Sequence, residues 1–147
     1  MKKDGICTIY TDGGARGNPG PAAGGGVIVA SNGAVIAEVS EFLGVATNNV
    51  AEYRALIATL QRAIETGCKD VEVCLDSELV VRQLNGEYRV KDVKMRPLHA
   101  QATALLQKFT SSRVRHIPRE ENKRADKLVN DVLDAQATSA REARVGL

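Results

Sequence analysis

Four acidic side chains stand beside apolar stretches of this chain, and together they could hold a divalent metal ion. Asp12 and Asp76 each follow a short apolar run that is typical of a buried strand. Glu52 is expected in the first turn of one predicted helix, and Asp126 in the first turns of another. Hard cations such as Mg²⁺ take oxygen ligands, so carboxylates suffice and neither His nor Cys is required. Two such ions about 4 Å apart are a general device for in-line phosphoryl displacement.

Each carboxylate, taken alone, also has an ordinary structural explanation. An Asp after a strand commonly forms a turn, and an acidic residue in the first turn of a helix is favoured by the helix dipole. All four lie at the ends of predicted elements, next to apolar runs that would fix their backbones. The set as a whole therefore favours a metal site over four separate turns and caps.

The elements that must position these residues begin with three strands. Residues 6–10 form an apolar run, and a turn rich in glycine and proline is expected directly after Asp12, at residues 13–20. Asn32 and Gly33 separate two further apolar runs, which is a strong hairpin signal. The first three strands are therefore expected to form an antiparallel meander, with the third continuing toward Phe42.

Four helices and two more strands complete the predicted order. Residues 47–49 supply an N-cap for a helix that ends near Gly67, and Ser77 can cap a short helix that ends near Asn85. The other predicted elements are a strand at residues 71–75, a helix beyond residue 97, a strand at residues 113–117 and a helix from about residue 122. The order β-β-β-α-β-α-α-β-α predicts an α/β fold in which a five-stranded mixed sheet is flanked by helices.

Length and composition indicate one folded domain of 147 residues with a net charge of +2, which permits a polyanionic partner without requiring one. We expect the domain at residues 1–135 and a helix extension or loose tail at residues 136–147. No stretch is long and apolar enough to cross a membrane, and the lysines at positions 2 and 3 are not followed by the apolar run of a signal peptide. Cys7, Cys68 and Cys74 are odd in number and lie in apolar runs, which predicts buried thiols in a reducing compartment. We therefore expect a cytoplasmic monomer with no membrane partner.

Four sequence blocks resemble the signature blocks of type 1 ribonuclease H. The first contains Tyr-Thr-Asp-Gly-Gly at residues 10–14 with Asn-Pro-Gly at residues 18–20. The others are residues 47–53, 76–80 and 118–126, in the order in which the family has them. The resemblance covers the chain to about residue 133. It points to the compact branch of the family, which lacks a basic handle insertion.

The resemblance implies a ribonuclease H-like fold and an Mg²⁺- or Mn²⁺-dependent endonuclease that cuts the RNA strand of RNA–DNA hybrids. The implied products carry 5′-phosphate and 3′-hydroxyl ends. The residues that would bind two metal ions and carry the catalysis are Asp12, Glu52, Asp76 and Asp126. Those that would contact the hybrid are Asn18, Asn48 and Asn49 in the minor groove, with Thr47 near the DNA-strand phosphates. An amide suits this role because it offers both donor and acceptor to a 2′-hydroxyl.

The chain departs from many family members in the loop before the last helix. Those members carry a catalytic-loop histidine there, whereas His116 is expected to belong to the preceding strand. Arg119 or Glu120 could take its place. A basic group at residues 82–96 could follow phosphates or form a solvated face, with both readings open. Its members are Arg82, Arg89, Lys91, Lys94 and Arg96.

Two other functions are compatible with the same predicted fold. One is a non-catalytic nucleic-acid-binding module, which the presence of all four carboxylates disfavours. The other is a nuclease that acts on double-stranded RNA or structured DNA, which the three asparagines disfavour. The glycine-rich turn lacks the Lys-Ser/Thr ending of a phosphate-binding P-loop, and no dinucleotide-binding fingerprint is present.

Overall fold

The computed structural model describes residues 5–144, which form one five-stranded sheet with helices on both faces. The expectation drawn from the lysines at positions 2 and 3 lies outside the described residues. The strands are β1 (Cys7–Ala15), β2 (Gly20–Val29), β3 (Val35–Ala46), β4 (Asp70–Leu75) and β5 (Ser111–His116). The helices are α1 (Asn48–Glu65), α2 (Glu78–Leu84), α3 (Met95–Leu106) and α4 (Lys123–Arg144), with a short 3₁₀ turn at Arg119–Glu121.

The sheet has the strand order β3-β2-β1-β4-β5. β1, β2 and β3 pair antiparallel, whereas β4 pairs parallel with both β1 and β5. The hairpin predicted at Asn32 and Gly33 joins β2 to β3. The predicted α/β fold with a mixed five-stranded sheet is therefore confirmed.

Strand β1 is longer than predicted. The prediction of a turn directly after Asp12 is wrong. β1 continues to Ala15, which is still paired with Ala22 of β2. Its pairing with β4 ends earlier, at Thr11 and Leu75. The glycine at position 13 allows close approach of another backbone, that of Ala51, and does not mark the end of the strand.

The helix caps agree with the sequence, while two helix positions differ from it. Thr47 Oγ1 accepts a hydrogen bond from the Val50 N–H, and Ser77 caps α2 in the same way. Glu52 lies in the second turn of α1 rather than the first, because the helix already begins at Asn48. α3 begins at Met95 instead of beyond Pro97, since a proline in the first turn removes no helical hydrogen bond. α4 continues to Arg144 through most of the segment expected as an extension or tail, and residues 145–147 lie outside the described part.

The helices pack on opposite faces of the sheet through unusually close contacts. α1 covers the face that holds the main apolar core, and α4 covers the other face with Val129 and Leu133. Consecutive glycines in β2 alternate between these faces. A Cβ at Gly24 would lie 2.9 Å from the Ala55 Cβ in α1, and a Cβ at Gly25 would lie 2.8 Å from the Ala125 carbonyl oxygen in α4. The glycines thus let both helices, and the acidic residues they carry, approach the sheet.

The prediction of three free cysteine thiols is wrong. Cys7 and Cys68 form a disulfide, while Cys74 is free and buried, and burial raises the pKa of its thiol. The parallel register of β1 and β4 pairs Cys7 with Val71, three residues after Cys68. This proximity follows from the strand order and could not be read from the spacing of the cysteines.

Within residues 5–144, no helix combines the length and apolar character that crossing a membrane requires.

Candidate active site

Asp12 and Asp76 meet where the pairing of β1 with β4 ends. Thr11 and Leu75 are the last paired residues of the two parallel strands, and each is followed directly by an acidic residue. Parallel neighbours end at the same edge of a sheet, so the two carboxylates are placed side by side. This is the arrangement expected from the sequence, although Asp12 lies inside a strand and not at its end.

Glu52 reaches the same point from helix α1. The N–H of Gly13 donates a hydrogen bond to Glu52 Oε1, and a Cβ at Gly13 would collide with the backbone of Ala51. Only glycine allows α1 to lie this close to β1. Because Gly13 has no side chain, α1 can lie against β1 and bring Glu52 close to Asp12 and Asp76.

The three carboxylates form a compact group of oxygen ligands. One carboxylate oxygen each from Asp12, Glu52 and Asp76 lies within 4.8 Å of the others. Among residues 5–144, no lysine, arginine or histidine forms an ion pair with any of the three. A divalent cation with oxygen preference matches this donor set, because it neutralises charges that the protein leaves unpaired. The group can hold a metal ion.

Burial and mutual repulsion perturb the acidic groups strongly. Desolvation, followed by the charges of Asp76 and Asp126, raises the pKa of Asp12 to about 8, and the charge of Arg119 opposes this rise. Burial, followed by the charges of Asp12 and Asp76, raises the pKa of Glu52 well above its ordinary value. Without a cation, neutral pH therefore favours a proton on Asp12.

Asp126 approaches the group from the opposite face of the sheet. It lies in the first turn of α4, which Gly25 allows close to β2. Together with Arg119 it lines the same cleft as the other three carboxylates, and the cleft has a volume of about 410 Å³. The structure thus brings all four predicted acidic residues to one cleft, with three of them in the tightest group.

Asn18 and Asn48 join the start of α1 to the end of β1. Asn18 Oδ1 accepts a hydrogen bond from the Asn48 N–H at 3.0 Å, and Asn48 Oδ1 accepts one from the Ala15 N–H at 2.8 Å. Each side chain keeps its NH₂ group, which can donate to a ligand. Thr47 is occupied as the N-cap of α1. Asn18, Asn48 and Thr47 thus stabilise the turn and the start of α1. Their contact with nucleic acid stays a prediction.

Asn49 connects the cleft to a second groove. It lines the acidic cleft and also a groove of about 480 Å³ whose wall includes Tyr88, Arg89 and Lys91. Asn49 thus lies between the carboxylates and the basic segment that joins α2 to α3. Arg82 is engaged with Glu78 and Glu87, and contact of the other basic residues with phosphates stays a prediction.

The two histidines lie outside the acidic cleft. His116 ends β5, as expected, and lines a separate pocket with Glu78 and Arg82. His99 packs edge-on against Tyr53, with its Nε2 3.1 Å from the carbonyl oxygen of Gln83. Arg119, in the 3₁₀ turn before α4, lines the acidic cleft.

Asn122 was noted in the sequence only as part of a signature block and as the start of the last helix. In the structure its buried side chain contacts both β1 and Asp76. Its spacing of four residues before Asp126 was visible in the sequence. Its burial was not, because it depends on how α4 meets the sheet.

Comparison with known proteins places this chain in a family. Residues 10–132 match the family model described as reverse transcriptase-like. Bifunctional protein Rv2228c of Mycobacterium tuberculosis is 47% identical over 133 residues, which cover 90% of this chain and 36% of that protein. Ribonuclease HI of Halobacterium salinarum is 46% identical over 125 residues, which cover 85% of this chain and 63% of that protein. The chain thus spans about a third of the mycobacterial relative's length.

Solved structures agree with these sequence matches. The N-terminal RNase H domain of Rv2228c superposes with a TM-score of 0.88 at 45% identity, covering 92% of this chain and 98% of that chain. LC11-RNase H1, solved in complex with an RNA/DNA hybrid, superposes with a TM-score of 0.84 at 44% identity, covering 89% of this chain and 99% of that chain. The chain belongs to the reverse transcriptase-like family and, within it, to the type 1 ribonuclease H group in its compact form. The resemblance seen in the sequence is confirmed.

Proposed function

We propose that this protein is an endonuclease that hydrolyses the RNA strand of RNA–DNA hybrids with the help of divalent cations. The observation that carries the proposal is the group of three carboxylate oxygens within 4.8 Å of one another at the edge of the sheet. Asn48 and Asn49 line the same cleft. The solved complex of LC11-RNase H1 with an RNA/DNA hybrid, at 44% identity, supports the choice of substrate.

The residues that would hold the cations are Asp12, Glu52, Asp76 and Asp126. We infer a site for two Mg²⁺ ions, with Mn²⁺ as a possible substitute. Bound cations supply an activated water and neutralise the charge that develops on the phosphate. Asp12 must lose its proton before it can act as a ligand, because a carboxylic acid binds Mg²⁺ poorly. The raised pKa of Asp12 therefore couples cation binding to proton release.

Selection of an RNA strand requires a contact with its 2′-hydroxyls. The free NH₂ groups of Asn48 and Asn18 can donate to such a hydroxyl, while their carbonyl oxygens are held by the backbone. Asn49 can extend the contact toward the adjoining groove. We assign Thr47 the DNA-strand side, where its capping bond fixes the start of α1. A pre-positioned row of amides loses little conformational freedom on binding.

Arg119 can act on the reacting phosphate in this chain. It lines the cleft, and its positive charge already lowers the pKa of Asp12. A guanidinium forms charge-assisted hydrogen bonds to phosphate oxygens, so it suits an oxygen that gains charge as the bond breaks. We therefore assign Arg119, rather than His116 or Glu120, to the position that a loop histidine takes in other members.

We propose that cleavage leaves 5′-phosphate and 3′-hydroxyl ends. We also propose that the protein acts as a monomer and that residues 1–135 form the ribonuclease H domain. A cytoplasmic location remains part of the proposal. The expectation of a reducing compartment was based on three free thiols, and the disulfide between Cys7 and Cys68 removes that support.

A panel of four end-labelled nucleic acids tests the proposal. RNA–DNA hybrid, single-stranded RNA, double-stranded RNA and duplex DNA are incubated with the protein in Mg²⁺ and, separately, in Mn²⁺. We expect cation-dependent cutting of the RNA strand of the hybrid alone. Equal cutting of double-stranded RNA would contradict the selectivity assigned to the asparagines. Hybrid binding without cutting in either metal would favour the non-catalytic module.

A further inference from the structure

Asn122 carries a buried amide between the two central strands of the site. The residue is 1% exposed. Its Nδ2 donates one hydrogen bond to the Thr11 carbonyl oxygen at 2.8 Å and another to Asp76 Oδ2 at 2.9 Å. Both protons of one NH₂ group are therefore used, one on the residue before Asp12 and the other on Asp76 itself.

The same residue also connects helix α4 to these strands. Asn122 directly precedes Lys123, the first residue of α4, and its carbonyl oxygen accepts the Asp126 N–H at 3.1 Å. Asn122 thus contacts two of the four acidic residues directly, Asp76 and Asp126. Through Thr11 it holds the backbone next to a third, Asp12.

Packing alone does not explain an amide at this position. Asn122 Oδ1 has no hydrogen-bond partner among residues 5–144, and an unpaired buried polar atom costs about 1–3 kcal/mol. An apolar side chain of similar volume would avoid that cost. The two donor bonds are therefore what distinguishes asparagine from an apolar residue here.

The donor bonds restrain the carboxylate of Asp76. An NH₂ group donates to a carboxylate oxygen, so the bond from Asn122 to Oδ2 restrains the orientation of the Asp76 carboxylate. Because the other N–H donates a hydrogen bond to the Thr11 carbonyl oxygen in β1, the same amide also sets the separation between β1 and the Asp76 side chain. Groups that orient a metal ligand in this way commonly change metal affinity when they are removed.

We propose that Asn122 is a positioning residue that orients Asp76 relative to Asp12 and thereby sets the affinity of the site for divalent cations. The inference rests on the proposed function, since it concerns the same metal site. It makes a separate claim, because a hybrid-cutting nuclease does not by itself require this amide.

The test compares the full-length wild-type protein with Asn122→Leu, which removes both donors at similar volume. Mn²⁺ binding is measured by titration calorimetry, and the Mn²⁺ concentration for half-maximal hybrid cleavage is measured separately. We expect the Kd for Mn²⁺ and the Mn²⁺ concentration for half-maximal cleavage each to rise about 10–100-fold, as for other residues that orient metal ligands. The KM for hybrid at saturating Mn²⁺ should stay within about twofold of wild type, since Asn122 is almost fully buried and offers no surface to a substrate.

Two further variants separate positioning from folding. Asn122→Ala serves if the leucine variant does not fold, with the same expected loss of Mn²⁺ affinity. Gln83→Met removes another buried amide, whose Oε1 accepts a hydrogen bond from the Tyr53 hydroxyl at 2.6 Å. We expect this control to lower the melting temperature while Mn²⁺ affinity stays unchanged.

The possible failures are distinguishable. If wild type cuts the hybrid and folded Asn122 variants bind Mn²⁺ as tightly as wild type does, the positioning role is overturned. An equal loss of Mn²⁺ affinity in Gln83→Met would overturn it as well, since that loss would reflect general destabilisation. If wild type neither binds Mn²⁺ nor cuts the hybrid, the proposed function itself fails.

Discussion

The backbone N–H of Gly13 donates a hydrogen bond to the carboxylate of Glu52, and this contact joins strand β1 to helix α1 at the acidic cleft. The contact exists because Gly13 has no side chain, so that the Ala51 backbone can lie directly against the strand. At the neighbouring residue, Gly14, a Cβ would make only ordinary van der Waals contact, no closer than 3.9 Å to another atom. Two adjacent glycines thus have different roles.

Gly13→Ala should therefore destabilise the protein and separate Glu52 from Asp12. Overpacking of this kind costs about 1–3 kcal/mol of unfolding free energy. For a chain of this size, the melting temperature should fall by roughly 2–4 °C for each kcal/mol. Gly14→Ala is the matched control and should melt within a degree or so of wild type. Thermal denaturation of both variants makes the comparison, and equal melting temperatures would contradict the role of Gly13.

Stability without metal should fall as pH rises from about 4 to about 8. The pKa of Asp12 is raised from 3.8 to about 8 in the folded state, so within this window the folded protein holds a proton that the unfolded chain has lost. Stability then decreases with rising pH. Mg²⁺ binds the deprotonated group, so its stabilising effect should be larger at pH 8.5 than at pH 5.

Melting curves with and without millimolar Mg²⁺ at several pH values measure this dependence. Asp12→Asn is the matched control, because its amide does not titrate, and its metal-free stability should depend less on pH. An Mg²⁺ effect of equal size at pH 5 and pH 8.5 would argue against a preformed acidic site.

The disulfide between Cys7 and Cys68 should stabilise the fold. It closes a loop with a sequence separation of 61 residues. The chain-entropy model gives roughly 4 kcal/mol for a loop of this length, as an upper estimate. Reduction, or the substitution Cys68→Ser, should therefore lower the melting temperature. Cys74→Ser is the control, and reductant should lower its melting temperature by as much as it lowers that of wild type. Counting thiols in the denatured, unreduced protein should yield one, and a count of three would show that the bond does not form.

Arg119→Ala should slow hybrid cleavage at saturating Mg²⁺. A charge-assisted hydrogen bond contributes about 1.5–3 kcal/mol. Its loss in the transition state corresponds to roughly a 10–100-fold lower rate. Because the Arg119 charge lowers the pKa of Asp12, the variant should also need a higher pH for full activity. Arg113→Ala, on β5 outside the cleft, is the control, and an unchanged rate in Arg119→Ala would remove the role proposed for that residue.

The convergence of Asp12 and Asp76 could be predicted because it depends on local patterns. Each follows an apolar run, and the ends of neighbouring strands meet at one sheet edge. Glu52 was recognised from its sequence block, but its helical turn was misplaced by the earlier start of α1. The mixed sheet itself followed from the order of strand and helix patterns, together with one clear hairpin signal.

The features that sequence reasoning missed all depend on contacts between distant segments. Gly25 matters because α4 crosses β2 at that residue, and the spacing of the chain gives no sign of that crossing. Cys7 and Cys68 meet only because β4 adds beside β1 in parallel. The two bonds of Asn122 likewise require β1, β4 and the start of α4 to be assembled. Local periodicity predicts elements, whereas these contacts arise from their packing.

Cleavage of an end-labelled RNA–DNA hybrid in Mg²⁺ by wild type and Asp76→Asn tests the central claim most directly. The account predicts that wild type cuts only the RNA strand, and that the variant still binds hybrid but loses at least about a hundredfold in rate, because a metal ligand is gone. Asp76→Asn preserves the shape of the side chain, so its fold should be intact by circular dichroism. An uncut RNA strand with wild type, or undiminished turnover in folded Asp76→Asn, would contradict the account.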